Sequence, residues 1–95
     1  MGIDMLDLVF RLESQFHVTI EWEPLDRAAQ RYTPWDITAG DVHRVVYGIC
    51  RDAGVAVPAS SWHRVKLAII RSCPNRVSPT RITPHTRLIA ELGFT

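Results

Sequence analysis

No apolar run in the 95 residues approaches the roughly 18–20 needed to cross a bilayer, and no basic segment precedes a greasy one. Neither a membrane span nor a secretory leader is therefore expected, and the chain reads as soluble and cytoplasmic. Cysteine is scarce. Cys50 and Cys73 are the only two, too few for a disulfide framework, and both are expected on helices as buried free thiols. His17, His43, His63 and His85 are scattered with no pair at ligand spacing, so no metal site is expected. A Gly-rich phosphate loop and a recognisable nucleophile motif are also missing, which argues against an enzyme. No cofactor is implied.

What is present is an ordinary globular balance, 46% hydrophobic and 22% charged residues. That balance and the length suit a single domain over residues 1–95 with one small core. The net charge is only +1, but it is unevenly spread. Residues 1–42 carry eight carboxylates against three arginines, and residues 43–95 carry eight basic side chains against two acidic ones. Such polarity lets two halves attract each other, or offers a basic face to an anionic partner.

Periodicity predicts four short helices with long connections, an all-α, small irregular bundle. Over residues 3–16, Met5, Val9, Leu12 and Phe16 recur at helical spacing and form one apolar stripe. Ile3, Leu6 and Phe10 form a second stripe, offset by about a third of a turn. One stripe is enough for a small core, so the second is either further core or a surface for a partner.

Val18 to Trp22 alternates in the manner of a short extended segment, and residues 23–36, with two prolines, read as a loop pinned by Tyr32 and Trp35. Thr38 and Asp41 form a capping-box variant before Val42, Val45, Val46, Ile49 and Cys50, which places a second helix over 38–53 with Gly54 just beyond its end. Ser60 or Ser61 opens a third helix, with Trp62, Val65, Ile69 and Cys73 as its buried stripe and Pro74 as its stop. Thr83-Pro84 opens a last short helix carrying Leu88, Ile89 and Leu92 and closed by Gly93.

The first helix resembles the second helix of acyl carrier proteins through Ile3-Asp4-x-x-Asp7-Leu8-Val9, Leu12-Glu13-x-x-Phe16 and Val18-x-Ile20. Asp36-Ile37-Thr38 running into Asp41-Val42, Val45 and Ile49 is similar to the Thr-capped final helix of that family. Residues 1–53 thus resemble the second half of a carrier protein. Residues 60–95 resemble its first half: Ser61-Trp62 with Val65, Ile69 and Ile70 looks like the opening helix. Ile82-Thr83-Pro84 through Glu91-Leu92-Gly93-Phe94 looks like the loop before the prosthetic-group serine. The halves are exchanged as in a circular permutation, with Gly54 to Ala59 joining the old ends.

The resemblance implies a carrier-like fold whose two termini meet at the prosthetic-group site. Gly2 stands where the family has its phosphopantetheine serine, so no covalent arm is implied. A partner-binding surface is implied on Ile3, Leu6 and Phe10, rimmed by Asp4, Asp7 and Glu13, and suited to a protein with a basic groove. A monomer or a helix-swapped homodimer is expected. One alternative is a genuine acyl carrier or an acyl-chain binder. A second is a small nucleic-acid-binding protein using Arg44, Arg51, Arg64 and Arg71.

Overall fold

In the computed structural model, which describes residues 2–95, the first periodic stretch forms α1 over Ile3–Phe16. Met5, Leu8, Val9, Leu12 and Phe16 are its buried face. Gly2 precedes it without a side-chain cap; the Thr95 carbonyl instead accepts the Met5 N–H at 3.3 Å, answering one of the donors that a helix start leaves open. The helix closes on His17, in the left-handed region at φ 57°, whose N–H donates to the Glu13 carbonyl.

Two expectations fail between α1 and the next predicted helix. Residues 18–21 are a connection and not a strand: Ile20 is buried, but its N–H donates to Glu13 Oε2 at 2.7 Å. Residues 23–36 are not all loop either, because Trp22–Ala29 forms α2. Pro24 lies in the first turn, where its missing N–H is not needed, so it permits the helix. Leu25 and Ala29 are buried at i, i+4, and Glu23 pairs with Arg27 at 2.9 Å on the solvent side.

Helix α3 spans Ala39–Asp52, as its signals predict. Thr38 Oγ1 accepts the Asp41 N–H at 3.1 Å, and Asp41 Oδ2 accepts the Thr38 N–H at 3.2 Å. Both halves of the capping box are thus formed with aspartate in place of glutamate. Gly54, at φ +71°, ends it: its N–H donates to the Arg51 carbonyl, while the Val55 N–H reaches back to Cys50. Helix α4 spans Ser61–Ser72 and buries Val65, Ala68 and Ile69. Trp62 and Cys73, expected in the same buried stripe, are only half-buried, and Cys73 follows the helix.

The predicted last helix does not form. After a 3₁₀ turn at Pro79–Arg81, residues 83–92 are mostly turns, with Arg87 in an isolated bridge to Thr38. The carbonyls of Pro84 and Thr86 accept the N–H groups of Gly40 and Ala39, so they serve the start of α3 instead of a helix of their own. The Thr83 hydroxyl accepts the His85 N–H in a local turn. Only one helical turn survives, with Glu91 N–H donating to Arg87 and Gly93 N–H to Ile89 before Gly93 turns at φ +75°. Leu88, Leu92 and Phe94 still reach the core.

The architecture is a small all-α four-helix bundle with no strand among the described residues. Helix α1 packs on α4, α4 on α3, and α3 on α2 around one continuous core. No helix among the described residues is long and apolar enough to cross a membrane.

Candidate functional site

The α1 positions that the core leaves over define the candidate site. At 100° per residue, Ile3, Leu6 and Phe10 fall on one side of the helix, away from its buried face. They are 80%, 42% and 58% exposed. The second stripe is therefore surface, and among the described residues nothing covers it. Apolar side chains scattered singly over a surface are unremarkable, but three on adjacent turns make a patch.

The carboxylates around this patch are less free than the sequence implies. Glu13 is held by the Ile20 N–H, and Asp4 Oδ2 accepts both the Thr95 N–H and its hydroxyl at 3.0 Å. Asp7 pairs with Arg11 at 2.8 Å on an exposed part of the helix. The Arg11 guanidinium holds the Asp7 carboxyl below the usual carboxylate range. Asp7 is thus a rim charge open to solvent, whereas Asp4 and Glu13 also tie α1 to its neighbours.

The two ends of the described chain meet beside this patch. A Cβ built on Gly2 would lie 1.6 Å from the Thr95 backbone carbon, so any side chain there, serine included, displaces Thr95. Next to this contact is a cavity of about 310 Å³ lined by Gly2, Met5, Trp22, Trp35, Ile89 and Thr95. Trp22 and Trp35 stack with centroids 5.5 Å apart, and Trp35 Nε1 donates to Asp26 Oδ1 at 2.8 Å, which fixes one wall.

The structure also brings together side chains that no motif announces. His43 Nε2 lies 2.8 Å from Ser61 Oγ, joining α3 to the start of α4. Burial pushes the His43 imidazole below its ordinary pKa of 6.5, which favours its neutral form. The geometry is that of a base beside a hydroxyl, but Ser61 is buried and no carboxylate orients the imidazole among the described residues. We assign the pair to helix packing.

A pH dependence follows from this burial. The unfolded chain takes up a proton as pH falls through about 6.5, while folded His43 resists until a lower pH. Stability from this group is full above pH 6.5 and declines below it. Urea midpoints at about pH 7.5 and about pH 5.5 should differ less for His43→Gln than for the wild type. Equal differences in the two proteins would remove His43 from the acid sensitivity.

Two buried aspartates were not recognised as anchors in the sequence. Asp41, beyond its capping role, pairs with Arg31 and Arg44. Its burial alone would raise the carboxyl, but the Thr38 N–H, Arg44, the Thr38 hydroxyl and Arg31 together bring it below its ordinary value. Asp36 binds the 87–92 turn to the start of α3. The four arginines proposed for nucleic acid do not act alike: Arg44 is paired to Asp41 and Arg51 lies 3.8 Å from Asp52. Arg64 and Arg71 instead line a groove beside α1. No group of three or more His, Cys, Asp or Glu side chains suited to a metal occurs among the described residues.

The chain matches no protein-family model, no curated protein and no solved structure.

Proposed function

We propose that this protein is a non-catalytic interaction module that docks a partner protein through Ile3, Leu6 and Phe10 of α1. The observation that carries this reading is the exposure of these three side chains on one face of a helix whose other face is fully built into the core. Apolar anchors of this size dominate binding when a partner buries them; full burial of a fully exposed side chain contributes about 1.5–3 kcal/mol, and Leu6 and Phe10, already partly buried, contribute correspondingly less. Asp7 supplies a rim charge that favours a partner pocket flanked by Arg or Lys and speeds its approach.

We read the scaffold as an acyl-carrier-like fold with exchanged halves. The contact between Gly2 and Thr95 supports it, since an exchange of halves requires those residues to be neighbours. Crowding at Gly2 argues against a covalent arm at that position.

Affinity capture with the wild-type chain, compared with Leu6→Ala, Asp7→Arg and Arg51→Gln, tests the docking face. A genuine partner is retained by the wild type and by Arg51→Gln, and falls away with Leu6→Ala and Asp7→Arg. A partner that stays bound to both α1 variants binds elsewhere and defeats the proposal.

A second reading, the binding of an apolar chain, draws on the cavity between the stacked tryptophans and Met5. Its volume lies at the lower end of ligand pockets, roughly 300–1,000 Å³. Saturable quenching of tryptophan fluorescence by a fatty acid, abolished in Ile89→Phe, which narrows the cavity at a half-buried position without adding a tryptophan, would favour it over simple docking.

A further inference from the structure

A groove between α1 and α4 gathers more positive charge than the chain neutralises. Arg11 from α1 meets Arg64 and Arg71 from α4, seven residues apart and so on one face, around a cavity of about 310 Å³. His17 also lines it, and no carboxylate does. Arg11 Nε is engaged by Asp7, and Arg64 Nε donates to Ser60 Oγ at 2.9 Å. Neither bond uses the terminal nitrogens of those guanidinium groups. Arg71 has no hydrogen-bond or ion-pair partner among the described residues.

Arg64 and Arg71 have no carboxylate partner among the described residues, and Arg11 keeps its terminal nitrogens beyond its bond to Asp7, so the groove carries a net positive charge that suits an anion. The planar guanidinium forks suit the paired oxygens of a phosphate.

The groove does not end at its charges. Gln15, His17 and Arg64 also line an adjoining cavity of about 290 Å³, whose walls include Phe16, Val55, Val57 and Pro58. One end is therefore cationic and the other apolar, with Arg64 common to both. A polymer backbone would need a longer charged track, and Arg44 and Arg51 do not extend this one because they lie on α3 and neither lines the groove.

We propose that the α1–α4 groove binds a phosphate ester with an apolar or aromatic body. The phosphate sits among Arg11, Arg64 and Arg71, and the body lies against Val55, Val57 and Pro58. This proposal does not rest on the docking reading, although the Asp7–Arg11 pair borders both surfaces.

The test is titration of the full chain with phenyl phosphate at constant ionic strength, followed by NMR of arginine Nε–H and backbone amide signals. The expected result is saturable shifts at Arg11, Arg64, Arg71 and Val57. Loss of one charge-assisted contact in Arg71→Gln should weaken binding about tenfold. Arg51→Gln should leave it unchanged. Inorganic phosphate should move the same arginines more weakly and leave Val57 still. Should Arg71→Gln alter the circular dichroism spectrum, Arg64→Gln takes its place.

Three outcomes would overturn the proposal: no saturation, equal weakening in Arg51→Gln and Arg71→Gln, or equal affinity for phenyl phosphate and inorganic phosphate. Parallel arms use duplex DNA and vesicles of phosphatidylcholine with phosphatidic acid. Binding of either through these arginines, with no response to phenyl phosphate, would assign the groove to a polymer or a lipid surface.

Discussion

Asp36→Ala is expected to lower unfolding stability by about 3–5 kcal/mol, the range found when one member of a buried, hydrogen-bonded charge network is removed. Asp36 is almost wholly buried. One of its oxygens accepts the Ile37 N–H at 2.8 Å and the Ile89 N–H at 2.9 Å; the other accepts the Ala90 N–H at 3.1 Å. Arg87 lies at ion-pair distance, 3.2 Å, without donating a well-directed hydrogen bond from Nε, and its guanidinium also covers the Tyr32 ring. Alanine leaves these donors and the guanidinium without an acceptor in a place that water reaches poorly.

The loss would take much of the stability of a 95-residue domain, roughly 5–14 kcal/mol. It also frees the 87–92 turn, and with it the burial of Leu88 and Leu92. Asn at this position keeps one acceptor oxygen but turns amide hydrogens toward a donor, so Asp36→Asn should recover only part of the loss. Urea unfolding of the three proteins measures this. An Asp36→Ala change within about 0.5 kcal/mol of the wild type, the usual range for surface substitutions, would refute the anchor.

Leu12→Ala and Leu6→Ala remove the same atoms from one helix, yet opposite outcomes are expected. Leu12 is fully buried, and its truncation should cost about 2–5 kcal/mol through lost burial and the cavity left behind. Leu6 projects from the other stripe and is 42% exposed; its truncation should change stability by no more than about 0.5 kcal/mol. Phe10→Ala, at a still more exposed position, should behave like Leu6→Ala. Thermal or urea unfolding decides the matter. If Leu6→Ala were as costly as Leu12→Ala, both stripes would be core, and the docking face would not exist.

How much of this was legible in the sequence varies with the reach of the interactions involved. Helix α3 was readable to its ends because Thr38, Asp41 and Gly54 act on their own neighbours. Helix α1 was readable because Met5, Val9, Leu12 and Phe16 repeat at helical spacing within twelve residues. Helix α2 was missed because two prolines, several charges and little periodicity over residues 23–36 read as a loop, although Pro24 falls in the first turn of the helix, where it is harmless.

The last helix was expected in error for the opposite reason. Thr83-Pro84 and Gly93 carry helix-end signals, but the carbonyls of Pro84 and Thr86 are taken by α3, some forty residues earlier in the chain. No local pattern reports such a claim. The same holds for the partnership of Asp36 with Ile89 and Ala90, for His43 beside Ser61, and for the meeting of Arg11 with Arg64 and Arg71. The exposed stripe on α1 was visible as a second periodicity; whether it faced core or solvent depended on where α2 and α4 came to rest.

The most direct test of that face is solvent paramagnetic relaxation on the methyl-labelled protein at low concentration. The predicted result is strong relaxation of the Ile3 and Leu6 methyl groups and of the Phe10 ring protons, beside weak relaxation of Met5, Leu8 and Leu12 on the same helix. Protection of Ile3, Leu6 and Phe10 to the level of Leu12 would contradict the account, because the face proposed for docking would already be filled.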